Sequence, residues 1–231
     1  MDHKKAKRDK LTGELAPLPT HIYFLCKIAL FKYRWVPAVT LAWFIRFAVK
    51  LMAKRFIAGE NIAQALDTMK DLSSTGRDAT LDQLGELVVS EKEADEYYNS
   101  VKELINGLAQ AYPNAEKNKS LINIAHVSIK VSALCCDFKP HAFDYTYSLV
   151  FSRLKSILEL ACSKNVFINI DAEHYAYRDL VFKIYRKILL ETECLANFDQ
   201  TGIVVQAYLR DSHLHFNDIL ELAKTRNVKM P

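Results

Sequence analysis

The chain has 231 residues, half of them hydrophobic and a quarter charged, with a net charge of +4 at neutral pH. That length suits one large domain or two small ones, and that balance excludes a disordered chain. The charge is unevenly placed: residues 1–55 hold 12 Lys and Arg against 3 Asp and Glu, a balance of +9, and the remainder is −5.

Residues 1–20 are charged and then punctuated by Pro17 and Pro19. They read as a disordered basic arm. Residues 21–72 read as a helical N-terminal cap. Two short amphipathic helices cover 21–54 with a break near Pro37, and a third covers 61–72 with Ile62, Ala65, Leu66 and Met69 on one face. Cations lie between the apolar residues of the first two helices. That pattern suits first a cap with Lys and Arg stems along its edge, and second a helix lying on a membrane surface. The longest charge-free run here is Trp35–Ile45, 11 residues including Pro37. A spanning helix needs about 20, so no transmembrane segment is expected. No small-residue cleavage site follows a basic start, so no signal peptide is expected either.

Residues 73–231 alternate. Ser73-Ser74-Thr75-Gly76 is a break, and a weak strand follows at 78–84. A helix is predicted over 90–112, with Ser90 and Glu93 as a capping box. Then come a strand at 124–134, a helix at 143–163, a strand at 166–172, a helix at 177–194, a strand at 202–208 and a helix at 216–225. Val- and Ile-rich runs alternating with amphipathic helices predict parallel strands, neighbours in chain order, joined by right-handed crossovers. A complete (β/α)8 barrel takes about 250 residues. The fold class is therefore α/β: the N-terminal portion of a (β/α)8 TIM-type barrel, incomplete at four units and preceded by a helical arm and cap.

Three of these strand runs carry polar groups where a buried strand should stay apolar. They are Lys130 in Ser128-Ile129-Lys130-Val131-Ser132, Asp171 and Glu173 in Ile170-Asp171-Ala172-Glu173, and Gln206 in Val204-Val205-Gln206-Ala207-Tyr208. A buried charge or amide is costly unless paired or used. Their recurrence on successive units is the pattern of a barrel whose site is built from strand ends. Each also has a plainer reading. Lys130 could reach solvent from a strand end, Asp171 could orient a loop or pair with a lysine, and Gln206 could be satisfied by interior neighbours. Asp171 and Glu173, two apart, share one side of a strand, as do Gln206 and Tyr208. Asp82 and Glu86 flank Gly85, which could simply relax a strand-to-helix turn.

His126, His174 and Glu173 match no compact ligand motif, so no metal is expected. The five cysteines, Cys26, Cys135, Cys136, Cys162 and Cys194, are odd in number and lack a CxxC spacing. They read as buried thiols in a reducing cytosol. The chain has no GxGxxG, P-loop or nucleophile elbow, and no nucleic-acid partner is expected.

The motifs Arg55-Phe56-Ile57-Ala58-Gly59-Glu60, Leu81-Asp82-Gln83-Leu84-Gly85-Glu86, Ser128–Leu134, Ile170–Glu173 and Gly202–Tyr208 occur together and in order. In this the chain resembles the proline dehydrogenase domain of flavin-dependent proline-catabolic enzymes, single-function and bifunctional, over roughly Arg55 to Pro231. The resemblance implies a cofactor, FAD, held at strand ends without a Rossmann fingerprint, and oxidation of L-proline to Δ1-pyrroline-5-carboxylate with a quinone as electron acceptor. It assigns Lys130 to the substrate carboxylate, Asp171 to a place beside flavin and substrate, and Gln206 to the isoalloxazine ring. Asp82, Glu86, Glu173 and Tyr208 are implied to support them.

The family's strand-five motif, Arg-Leu-Val-Lys-Gly-Ala-Tyr, is not among these residues, nor are its late tyrosine and arginine pair. The expectation is accordingly a truncated form, inactive by itself, cytoplasmic or peripheral at the inner face of a membrane through its basic N-terminal helices. A different βα-barrel enzyme, such as a metal-dependent lyase or hydrolase, and a non-catalytic membrane-surface remnant are the alternatives.

Overall fold

In the computed structural model the described residues are 38–53, 56–84 and 88–230. The arm, the first cap helix, Gly85 and Glu86 lie outside them. The chain divides into two compact units, 1–57 and 58–231.

In the first unit, helix α1 runs Ala38–Ala53. Its sequence is apolar apart from Thr40 and a cationic pair one turn apart, Arg46 and Lys50. Trp43 stacks on Phe47, with ring centroids 5.8 Å apart, the i, i+4 spacing that faces side chains toward each other on a helix. Among the described residues no helix is long and apolar enough to cross a membrane.

The second unit holds helix α2, Ile62–Ser74; strand β1, Leu81–Asp82; helix α3, Glu91–Ala111; and strand β2, His126–Ile129. Helix α4, Phe143–Lys164, strand β3, Phe167–Ile170, helix α5, Arg178–Glu191, strand β4, Thr201–Ile203, and helix α6, Ser212–Arg226, follow. The four strands form one sheet in chain order, and every neighbouring pair is parallel, as the alternation predicts.

Local chemistry sets the helix limits. Asn61 caps α2 by accepting the Gln64 amide, and Ser90 caps α3 by accepting the Glu93 amide, each satisfying a donor the first turn leaves unpaired. The Glu93 carboxylate reaches back to the amide of Val89, one residue beyond the cap amide that a capping box would engage. Helices α4 and α6 stop at Asn165 and Asn227, both in the left-handed conformation that asparagine tolerates at a helix end.

The helices then bury single stripes. On α3 it is Ala94, Tyr97, Val101, Ile105 and Leu108; on α4, Val150, Leu154, Ile157, Leu158 and Ala161 are among the residues fully buried. Each buried Val, Leu or Ile among them contributes about 1.5–3 kcal/mol relative to exposure.

Register divides the sheet into two faces. Val127 pairs with Ile168 and Ile168 with Thr201; Ile129 pairs with Ile170 and Ile170 with Ile203. This face meets the helices, since Tyr185 of α5 bonds Thr201 at 3.1 Å. The other face carries Asp82, Ser128, Asn169 and Gly202, again in register, with Asn169 donating to Ser128 Oγ at 3.0 Å. Lys130 and Asp171 come two residues after Ser128 and Asn169, just past the ends of β2 and β3.

The strands are shorter than the sequence predicts. Beyond Ile129, residues Val131–Leu134 wind into a 3-10 turn, because the Lys130 amide leaves the ladder for the Tyr97 hydroxyl and the Ala133 amide closes back on the Lys130 carbonyl. Beyond Ile170, the Asp171 amide still bonds Ile129, but its carboxylate turns to the Ala172 amide. Beyond Ile203, Val204 still bonds Ile170, and then Leu209 folds back onto the Gln206 carbonyl. Asp171, Glu173, Gln206 and Tyr208 therefore lie in the loops just past the strand ends, and strand alternation does not govern how they point.

Candidate active site

The site gathers at the carboxyl ends of the four strands. Lys130 is its centre. Its ammonium lies 2.6 Å from Asp82 Oδ2, at the end of β1, and 3.3 Å from Asp171 Oδ2, just past β3, with the lysine side chain only 11% exposed. Burial disfavours the charge, but the hydrogen bonds and charges of Asp82 and Asp171 outweigh it and hold the lysine pKa above its ordinary value. Asp82 thus supports Lys130 by direct contact.

Glu173 turns away from that pair. Its carboxylate accepts the Ser132 amide at 3.1 Å and the Ser132 hydroxyl. Burial pushes its pKa up, against the lowering effect of those two hydrogen bonds. Gln206 donates through Nε2 to the Glu173 backbone carbonyl at 3.1 Å and to the Tyr208 hydroxyl at 3.0 Å. Asp171, Glu173, Gln206, Arg178 and His215 line one narrow cavity. Lys130 is not among its lining residues; it meets the cavity through Asp171.

Four residues here escape sequence reasoning. Tyr97 reads as one more apolar position of the α3 stripe, yet its hydroxyl accepts the Lys130 amide at 2.9 Å; burial pushes that phenol's pKa well up. Ser132 did offer a signal, a hydroxyl within the run Val131–Leu134. Arg178, at the start of α5, ion-pairs with Asp211 at 2.9 Å and ties the β3 and β4 loops together. His215, on the first turn of α6, is buried with neither ring nitrogen bonded among the described residues. Its pKa is lowered by burial and by Arg178.

His126 and Glu173 lie at opposite ends of the sheet. His126 opens β2 and packs edge-on against Phe167 with centroids 4.5 Å apart, whereas Glu173 follows the other end of β3. Among the described residues no group of three His, Cys, Asp or Glu could hold a metal.

A parallel sheet with helical crossovers and polar groups collected past the strand ends defines a βα-barrel type of enzyme domain. The particular family follows from comparison with known proteins. The proline dehydrogenase family model matches residues 65–231. Proline dehydrogenase 1 of Bacillus subtilis (strain 168) is 32% identical over 163 residues, which are 71% of this chain and 46% of that protein. The bifunctional protein PutA of Escherichia coli (strain K12) is 30% identical over 179 residues, 78% of this chain and 13% of that one. A crystal structure of proline utilization A from Bdellovibrio bacteriovorus, inactivated by N-propargylglycine, superposes with a TM-score of 0.75 at 33% identity, covering 82% of this chain and 20% of that one.

The chain belongs to the proline dehydrogenase family, a family of oxidoreductases of proline catabolism, and its α/β architecture is TIM-barrel-like. It spans less than half the length of these curated relatives.

Proposed function

We propose that this chain supplies strand-end groups for the FAD-dependent oxidation of L-proline to Δ1-pyrroline-5-carboxylate. The observation that carries this reading is the row Asp82–Lys130–Asp171, an ammonium held between two carboxylates at adjoining strand ends. Such a minus–plus–minus array complements a zwitterion. Lys130 attracts the carboxylate of proline, and a flanking aspartate attracts its ring ammonium. Exchange of one partner for another at a partly dry site keeps every charge paired.

The loop groups fit a flavin. The Gln206 amide is half-buried beside Asp171 in a shared cavity, and its Oε1 takes no hydrogen bond from the described residues, which leaves an acceptor for a ring N–H. Gln206 and Asp171 would hold FAD, which when bound supplies the acceptor for the hydride of the ring carbon next to nitrogen. The task of the chain's own residues is orientation: Lys130 fixes the substrate's carboxylate end, and Asp171, touching both Lys130 and the cavity, sets the distance between substrate and ring. A quinone is the proposed terminal electron acceptor.

A polypeptide of these 231 residues alone is expected to hold FAD weakly or not at all and to show no proline:dye turnover, since β1 and β4 each keep one edge unpaired by any described strand. The proposed setting is the cytoplasm, with peripheral contact to an anionic membrane surface through the basic N-terminal region.

The test is to titrate the purified chain with FAD and L-proline and to assay it with an artificial acceptor. Proline binding that disappears in Lys130→Ala supports the reading. Wild-type and Lys130→Ala proteins with equal proline affinity would refute the role of Lys130. A yellow preparation that oxidises proline would refute the expected inactivity.

A further inference from the structure

Three strand-end loops meet at one residue. Glu173 lies three positions past the end of β3. Through its carboxylate it holds the β2 loop, accepting both the amide and the hydroxyl of Ser132. Through its backbone carbonyl it holds the side chain of Gln206, past β4. Ser132 stands two residues after Lys130, and Glu173 two residues after Asp171. The β2 and β3 loops are therefore fastened twice, once by Lys130 to Asp171 and once by Ser132 to Glu173.

The second fastening carries no substrate charge and gains little from its setting. Burial opposes the ionised carboxyl, whose pKa is raised despite two donors. A carboxylate kept where it is costly needs a reason beyond filling space, and the geometry offers one. The 3-10 turn Val131–Leu134 starts at Lys130, which has no side-chain cap of its own. The Glu173 carboxylate takes up the Ser132 amide, one of the donors such a turn leaves over. Elsewhere the same loop is held from α4 by Arg153, bonded to the Leu134 carbonyl at 2.7 Å. Glu173 holds the start of that turn, two residues past Lys130.

We infer that Glu173 is a positioning residue that joins the lysine of the β2 loop to the amide of the β4 loop, so that Lys130 and Gln206 move as one unit. The assignment of those two groups to substrate and flavin rests on the function proposed above; the mechanical link does not. Its consequence is coupling between residues that do not touch. A change at Ser132 reaches Gln206, because both are held by opposite ends of Glu173. Free Gln206 would place a ring-facing amide independently of the substrate cation; linked, the two are set at a fixed spacing, which is what hydride transfer between two bound molecules demands.

The experiment needs neither ligand. NMR of the 231-residue chain follows the Gln206 side-chain amide signals and hydrogen exchange at the backbone amide of residue 132, in wild type, Ser132→Ala, Glu173→Ala and Glu173→Gln. Glu173→Ala is expected to speed exchange at that amide about tenfold or more, the loss of a hydrogen bond to a charged acceptor, and to shift the Gln206 amide signals. Glu173→Gln keeps an acceptor for the amide and restores most of both. Ser132→Ala, which deletes only a hydroxyl, is expected to shift the Gln206 signals as well. Gln206 signals unchanged in Ser132→Ala would overturn the inference, whether or not Glu173→Ala folds. Absence of proline binding in the wild type would defeat the functional reading and leave this result standing.

Discussion

Replacing Tyr97 by Phe isolates one hydrogen bond beneath the site. The ring is 5% exposed and packs in the α3 stripe with Val101, Ile105 and Leu108, so phenylalanine keeps nearly all the apolar contact and leaves a space smaller than a methyl group. What disappears is the acceptor for the Lys130 amide, 2.9 Å away. That amide has left the sheet ladder for the phenol. An orphaned buried donor costs about 1–3 kcal/mol; relief from burying the hydroxyl offsets part, leaving a net loss of about 1–2 kcal/mol. For a chain of this size each kcal/mol lowers Tm by roughly 2–4 °C.

Urea unfolding should show a lower midpoint at unchanged slope, since no new surface is exposed. The control is its neighbour Tyr98, whose hydroxyl bonds Ser156 and Lys102 where solvent can replace both. Tyr98→Phe should cost well under half as much. A Tyr97→Phe loss below about 0.3 kcal/mol, or equal losses for the two variants, would refute the argument that the Lys130 amide depends on this phenol.

Burial lowers the His126 pKa from 6.5 to about 4, so the unfolded chain binds a proton before the folded one does. Its contribution is intact above pH 6.5 and is lost as pH falls toward 4, about 1–2 kcal/mol by pH 5; urea melts at pH 7 and pH 5 should show His126→Phe losing less than wild type by that amount. Lys130→Ala strips the cation from between Asp82 and Asp171, and the Kd for L-proline, followed by NMR shifts, should rise roughly 10-fold or more while that for FAD changes less than about threefold. Gln206→Ala should do the reverse, weakening FAD by roughly 3–10-fold in fluorescence titration with proline binding nearly unchanged. Identical profiles for the two variants would show that substrate and flavin roles are not divided between them.

The sequence by itself determined the order and direction of the sheet. Alternating Val/Ile runs and amphipathic stripes are local signals, and a parallel strand followed by a helix has one favoured way to return. It also singled out Lys130, Asp171 and Gln206, because a charge or amide inside an apolar run stands out at any strand end. Their partners were legible only in part. Strand alternation puts Gln206 beside Tyr208, and the two do bond, but it also puts Asp171 with Glu173, which serve different partners because β3 ends before them and a turn erases the two-residue period.

Tertiary structure decided the rest: Tyr97, a stripe residue by its spacing, is the one whose hydroxyl reaches Lys130; Asp82, 48 positions earlier, is the closest carboxylate to its ammonium; and Glu173, beside Asp171 in sequence, serves Ser132 instead. The physical reason is that hydrophobic periodicity fixes which face a residue takes, a property of a few neighbouring positions. Which donor meets which acceptor depends on where separate strands end once they are packed side by side, and no single segment encodes that.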